Sequence, residues 1–353
     1  LWNAPTQGCH LNLTEYGIST NNDGSWFGDT MNVFYSLGRW PTIAPNGTFI
    51  NGGLPQLGNL SAHIATIEGQ VATLMPDPNF NGIAAIDFES WRPYFAWNWD
   101  SLSPYQKASI ALAQKQHPTW NATQVKAAAE AAFNAAAKHW FLSTLQVLQT
   151  HRPQGLFGYY QFPYCDFNGT VCSPSMQADN DAMQWLWDAA DVLFPEIYQY
   201  ECGMPLANLT RAVASRVQEA LRLATGIQRV YPYGNLACGL GNGSQAFVDG
   251  AHLGVQLDTV REVAADGVVI WGSTEFAGEH CAAMEAYLVS TLGPMAVSTL
   301  GAAESCSTKE CGGHGRCASY EPPAPDPPTA GALLCHCFPG WVGVSCEVPT
   351  QGA

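Results

Sequence analysis

Two acidic residues two positions apart, Asp87 and Glu89, follow directly on the apolar run Ile83-Ala84-Ala85-Ile86. In extended backbone, residues i and i+2 face the same side, so the two carboxylates project together. Two carboxylates at that range cannot both ionise cheaply, so one holds its proton and can serve as a general acid. The neighbours Phe88, Trp91, Tyr94, Phe95, Trp97 and Trp99 supply a low dielectric and flat faces on which sugar rings stack, and Arg92 adds a positive charge. The pattern alone also admits a plain structural pair that caps a loop or meets Arg92. Other chemistries find less support. The nine His form no H-x-H or H-x-x-x-H pair and the cysteines no C-x-x-C, so neither a metal nor another cofactor is expected. There is no G-x-S-x-G elbow. Gly239-x-Gly241-x-Gly243 follows no strand directly and carries no phosphate assignment.

A strand-end acid pair needs a rigid sheet behind it. Near-continuous apolar runs at 31–36, 83–88, 156–162, 192–198, 228–233 and 267–272 read as buried strands. Helical periodicity covers 60–75, 104–117, 122–151, 177–190, 207–225, 251–265 and 279–292. That alternation implies an α/β fold with parallel strands, and at this length a (β/α) barrel rather than an open doubly wound sheet. Catalytic groups of such barrels stand at the C-terminal strand ends. Tyr160, Tyr198, Tyr200 and Trp271 all fall there, where they would outline a carbohydrate cleft.

The composition narrows the class. The 353 residues are 47% hydrophobic, only 12% charged, and carry a net charge of −15, which argues against nucleic-acid binding. No apolar run is expected to cross a membrane, and with no basic, apolar leader at Leu1 a signal peptide is expected to have been removed. Asn12, Asn46, Asn59, Asn121, Asn168, Asn208 and Asn242 head N-x-[ST] sequons, and the 12 Cys are even in number. Glycans and disulfides together point to an extracellular or lysosomal glycoprotein, expected to be a monomer. Six cysteines crowd beyond residue 302, so a catalytic domain over 1–302 and a disulfide-rich module over 303–353 are expected.

The module's spacing, C-x4-C-x5-C-x17-C-x-C-x8-C with a closing G-W-x-G-x-x-C, resembles an epidermal-growth-factor-like module. That likeness implies the pairs Cys306–Cys317, Cys311–Cys335 and Cys337–Cys346. No protein partner for the module can be read from the residues.

The remaining segments resemble a known family. Leu1-Trp2-Asn3-Ala4-Pro5-Thr6-Gln7-x-Cys9, Gly52-Gly53-Leu54-Pro55-Gln56, Ile86-Asp87-Phe88-Glu89-Ser90-Trp91-Arg92-Pro93 with Trp97-Asn98-Trp99-Asp100, and Gly158-Tyr159-Tyr160-x-Phe162-Pro163 look like the hyaluronidases, glycoside hydrolase family 56. The resemblance implies a distorted (β/α) TIM-like barrel that cleaves a glycosaminoglycan, hyaluronan and also chondroitin, after an N-acetylhexosamine. Glu89 then matches the proton donor, and Asp87 and Tyr198 the residues that position the substrate's acetamido group. Tyr160, Arg216 and Trp271 match groove residues, with Trp91 and Arg92 beside the acids. The nucleophile would be the acetamido oxygen, an exception to the two-carboxylate scheme. The family also implies Cys9–Cys281 and Cys165–Cys172, and arithmetic then leaves Cys202 with Cys238. Where the family tends to show a second Trp after Trp271, this chain has Thr274. A catalytically silent glycan-binding protein is the alternative reading. A chitinase-like D-x-x-D-x-D-x-E motif is only half present.

Overall fold

The computed structural model describes residues 1–3, 9, 11–21, 25–165, 172–226, 228–239, 245–272, 281–319 and 333–350. They fall into two compact units, 33–158 and 1–32 with 159–353, divided within the strands Met31–Phe34 and Leu156–Gln161.

In the unit 33–158, the strand Ile83–Ile86 is buried along its whole length. It is flanked by backbone hydrogen bonds, Asp87 N–H to the Phe34 carbonyl (3.1 Å) and Leu156 N–H to the Gly82 carbonyl (3.0 Å). The helices Leu60–Leu74, Ser103–Gln116 and Ala122–His151 match the periodic segments within a residue or two. The last begins at a capping box, in which Asn121 Oδ1 accepts from Gln124 N–H and the Gln124 side chain accepts from Asn121 N–H. Its buried residues, among them Ala129, Phe133, Ala137, Trp140, Phe141 and Leu148, recur at three and four, so one stripe faces the core.

A buried histidine ties this core to the loop after the first strand. His63 Nδ1 accepts from Arg39 N–H (2.8 Å), which leaves Nε2 to donate to Thr144 Oγ1 (2.9 Å). Its ring packs against both Trp40 and Trp140, at 4.6 and 4.8 Å between centroids. Gly38, at φ +71°, passes so close that a Cβ there would stand 2.4 Å from the His63 ring. The motif Gly52-Gly53-Leu54-Pro55-Gln56 is scaffold too. Both glycines hold positive φ, Leu54 is buried, the Pro55 carbonyl accepts from Trp140 Nε1 (3.0 Å), and Gln56 Nε2 donates to Ser109 Oγ (3.1 Å).

In the unit 1–32 with 159–353 the strands pair in parallel. Tyr160 is opposite Phe194, Val192 opposite Arg229, Tyr233 opposite Val269, and Ile270 opposite Trp2, and a bridge from Glu196 to Tyr233 joins the pairs. The expected strand 228–233 is two, Arg229–Val230 and Tyr233–Asn235, because Pro232 has no N–H for the ladder. The helix expected over 177–190 likewise divides into Pro174–Ala182 and Gln184–Trp187.

A helix runs through the expected boundary at 302. The helix Cys281–Tyr287 passes through a π turn, Leu288–Leu292, into the helix Gly293–Glu310, which carries Cys306. Pro294 sits at the start of that helix, where its missing N–H removes no helical bond. Contrary to the sequence expectation, the run Cys281–Glu310 is long and apolar enough for a membrane span by length and composition, with mean hydropathy 1.2. Its Met284, Tyr287, Leu288 and Leu292 pack into a core with Leu236, Leu253 and Leu257. The cysteine-rich segment is docked by an ion cluster. Buried Asp266 receives Arg229 (3.0 Å), Arg316 (2.8 Å) and Val230 N–H (2.8 Å), while Arg316 Nε donates to the Ala264 carbonyl (3.0 Å).

Five disulfides close among the described residues: Cys9–Cys281, Cys202–Cys238, Cys306–Cys317, Cys311–Cys335 and Cys337–Cys346. The expected Cys165–Cys172 bridge would close over residues that the structure does not describe. The buried Cys172 sulfur lies 3.7 Å from the Tyr164 carbonyl oxygen, and residues 166–171 fall outside the described set.

Two predictions follow from these ties. Cys202–Cys238 spans 36 residues, for which chain entropy gives about 4 kcal/mol. A Cys202→Ser/Cys238→Ser variant will unfold at lower denaturant by about that free energy, and an unchanged midpoint would contradict it. Burial pushes the His63 imidazole down to about 4 from 6.5. As pH falls through that window the unfolded chain takes a proton that the folded chain does not, so His63 contributes less stability at each step. The stability difference between wild type and His63→Gln will shrink by about 3 kcal/mol from pH 7 to pH 4. A pH-independent difference would show that His63 does not titrate against the fold.

Candidate active site

The strand Ile83–Ile86 delivers Asp87, Phe88 and Glu89 at its C-terminal end. Phe88 stacks on Trp40 (4.0 Å, 15°) and meets Trp91 edge-on (5.1 Å, 81°). With Phe88 turned into this aromatic set, the carboxylates on either side of it are left to the opposite face. Glu89 is exposed and Asp87 half-buried. Burial, and then the charge of Glu89, pushes the Asp87 carboxyl up to about 7. The sequence reading assigns the retained proton to Glu89; in the structure burial falls on Asp87. The proton belongs to the pair.

Trp91 corrects the sequence reading. It is completely buried, its indole N–H donates to the Pro41 carbonyl (2.7 Å), and its ring packs on Trp40, Phe133 and Phe141. It anchors the loop and offers no face to a sugar. Arg92 is half-buried, and its backbone is clasped by Asn98, a residue that the sequence reading left without a role. Buried Asn98 accepts from Arg92 N–H (2.9 Å) and donates to the Arg92 and Tyr94 carbonyls (3.1 and 3.0 Å). Within W-N-W-D, Trp97 is buried and Trp99 exposed.

The unit 1–32 with 159–353 holds a second cluster, on the ends of its parallel strands. Tyr198 is buried and stacks on Trp271 (5.6 Å, 24°). Tyr160 packs against Tyr198 (6.3 Å) and edge-on to Tyr233 (4.9 Å, 72°). At its centre lies a carboxylate that sequence reasoning missed. Buried Glu196 accepts from Tyr160 Oη through Oε2 (3.0 Å) and from Tyr200 Oη through Oε1 (2.6 Å), and its carbonyl accepts from Arg216 Nη1 (3.0 Å). Burial pushes the Arg216 guanidinium down, and the charge of Glu196 opposes that shift. The helix Leu206–Leu223 turns its stretch 213–220 into the unit, which is why Arg216 is buried.

Asn235, also missed, fixes the backbone beyond Tyr198. Its Oδ1 accepts from Gln199 N–H (3.0 Å), and its Nδ2 donates to the Gln199 and Ala237 carbonyls (3.0 and 2.6 Å). The Cys202–Cys238 bridge closes the same loop. Thr274 lies outside the described residues. A cavity of about 340 Å³ lies elsewhere in this unit, among Leu257, Val260, Leu292, Ala296 and Arg316, and takes in none of the site residues. Among the described residues no cluster of three or more His, Cys, Asp or Glu could hold a metal ion. Asn12, Asn46, Asn59, Asn121 and Asn208 are exposed, whereas Asn168 and Asn242 lie outside the described residues.

Comparison with known proteins agrees with this chemistry. Residues 1–326 match the hyaluronidase family of glycoside hydrolases, and residues 306–349 match a Teneurin-like EGF domain. Hyaluronidase-1 of Bos taurus is 35% identical over 98% of this chain and 88% of its own length. Hyaluronidase-1 of Homo sapiens is 35% identical over 98% and 91%. The crystal structure of bee venom hyaluronidase is 32% identical and superposes with a TM-score of 0.77, over 84% of this chain and 98% of that one. That likeness shows the α/β, TIM-like barrel fold class expected from the alternation of strands and helices. The chain therefore belongs to the hyaluronidase family, glycoside hydrolase family 56, and is a glycoside hydrolase with an EGF-like segment at its C-terminal end.

Proposed function

We propose that this protein is an endo-β-N-acetylhexosaminidase that hydrolyses hyaluronan, and chondroitin with it, by a substrate-assisted retaining mechanism outside the cell or in the lysosome. The observation that carries the reading is the Asp87–Glu89 pair, with a carboxyl pushed up to about 7 at the end of a buried strand. Bee venom hyaluronidase has been solved in complex with a hyaluronic acid tetramer, which supports the substrate class.

Glu89, the exposed member, donates the proton to the glycosidic oxygen as the bond to the anomeric carbon breaks. The acetamido carbonyl oxygen of the same sugar forms the new bond to that carbon, giving a cyclic oxazolinium. Asp87 carries the negative charge and accepts the acetamido N–H, and the Tyr198 hydroxyl orients the same group. Glu89, now a carboxylate, takes a proton from water, whose oxygen opens the ring with the β configuration restored. No second carboxylate is needed as nucleophile, because the attacking oxygen is prepositioned within the substrate. Residues 303–353 are read as an EGF-like module docked on the catalytic part, and the five exposed sequon asparagines as glycan acceptors.

Glu89→Gln will fold and lose activity on hyaluronan by roughly 10²–10⁴-fold, the usual worth of general acid catalysis. Near-normal turnover would remove Glu89 from the role. Because the pair takes up its proton as pH falls through about 7, kcat/KM will decline above that pH. Asp87→Asn will keep polymer binding, lose kcat and lose that limb of the profile. A variant with wild-type pH dependence would overturn the shared proton. De-N-acetylated polymer will resist cleavage, and wild-type product will appear first as the β anomer. Cleavage of fully de-N-acetylated polymer, or initial release of the α anomer, would require a protein nucleophile instead.

A further inference from the structure

Glu196 has no place in the mechanism above, yet it is the hub of the cluster that contains Tyr160 and Arg216. A phenol has one proton, and here the Tyr160 and Tyr200 protons both go to the Glu196 carboxylate, at 3.0 and 2.6 Å. What the two phenolic oxygens present beyond that bond is therefore acceptor character. Tyr200 is exposed and Tyr160 half-buried, whereas Glu196 itself is buried. The second consequence is charge. Buried Arg216 hydrogen-bonds the Glu196 carbonyl and feels the Glu196 carboxylate, so cation and anion balance within one cluster.

We propose that Glu196 is a specificity-determining residue: by turning Tyr160 and Tyr200 into acceptors and cancelling the Arg216 charge, it selects a neutral, hydroxyl-bearing sugar face over a sulfate ester. Sugar hydroxyls and amide N–H groups donate to such a surface. A sulfate has no proton to give and meets no net positive charge in compensation. The inference rests on the glycosaminoglycan reading of the site and narrows it to unsulfated polymer.

The test compares kcat/KM for hyaluronan, unsulfated chondroitin and chondroitin 4-sulfate in the full chain. Wild type is expected to favour unsulfated over sulfated chondroitin at least tenfold. Glu196→Gln keeps the shape but removes the carboxylate charge felt by Arg216 and aims an amide N–H at one phenol. The ratio is expected to move toward the sulfated polymer at least tenfold, because an unscreened unit charge acts across the cluster. Tyr200→Phe, at an exposed position that tolerates the change, removes one of the two acceptors and is expected to relax discrimination against sulfate at least threefold. It keeps the proposal testable if Glu196→Gln does not fold. A wild type indifferent to sulfation overturns the proposal, as does a folded Glu196→Gln, or a Tyr200→Phe, whose ratio stays within twofold of wild type. A wild type that cleaves none of the three polymers overturns instead the functional reading beneath it.

Discussion

The stack of Phe88 on Trp40 is the contact on which the Asp87–Glu89 strand end depends. A buried parallel strand ends among apolar neighbours, where two adjacent acids have no inexpensive place. Committing the residue between them to an aromatic set resolves the conflict, since one ring goes inward and two carboxylates go the other way. Trp40 must then be immobile, and the contacts around it serve that end: His63 and Trp140 on one side, Trp91 and Phe141 on the other. His63 is neutral and fully hydrogen-bonded, which lets an imidazole pass for a core residue. Trp91 and Asn98 extend the same rigidity into the loop that carries Arg92.

The second cluster is stabilised by polar rather than aromatic closure. Asn235 and Glu196 each bind groups on neighbouring strand ends, one through backbone amides and the other through phenols. Buried polar groups are tolerable only when hydrogen-bonded, and once satisfied they specify one arrangement more sharply than packing alone. Tyr198 and its loop are fixed by such bonds and by a disulfide, so its ring lies stacked on Trp271 without adjustment.

Much of this was legible in the residues, and the exceptions have physical reasons. Periodicity located the helices Leu60–Leu74 and Ala122–His151 because one burial stripe runs the length of each. The boundary at 302 was placed by the crowding of cysteines, a signal blind to the helix Gly293–Glu310 that runs through it and carries Cys306. Trp91 could not be told from a sugar platform, since both roles call for an indole and only the Pro41 carbonyl decides. Glu196 was hidden because Phe194-Pro195-Glu196-Ile197 reads as strand interior, and its partners Tyr160 and Tyr200 become neighbours only when strands pair. Asn98 and Asn235 act through backbone carbonyls and amides, which leave no pattern in side-chain types.

One feature of the unit 33–158 reaches beyond its geometry. Between about pH 4 and 6.5 His63 refuses a proton that the unfolded chain accepts, while the Asp87–Glu89 pair keeps one that the unfolded chain, with the Asp87 carboxyl near 3.8, has released. The first linkage lowers stability as the solution acidifies, and the second raises it. Folding of this unit thus gives up a proton at one site and takes one up at another, and the two exchanges nearly cancel. The protein can move from neutral to acid surroundings, with the Asp87–Glu89 pair taking up its proton on the way, without these two sites altering the balance between folded and unfolded chain.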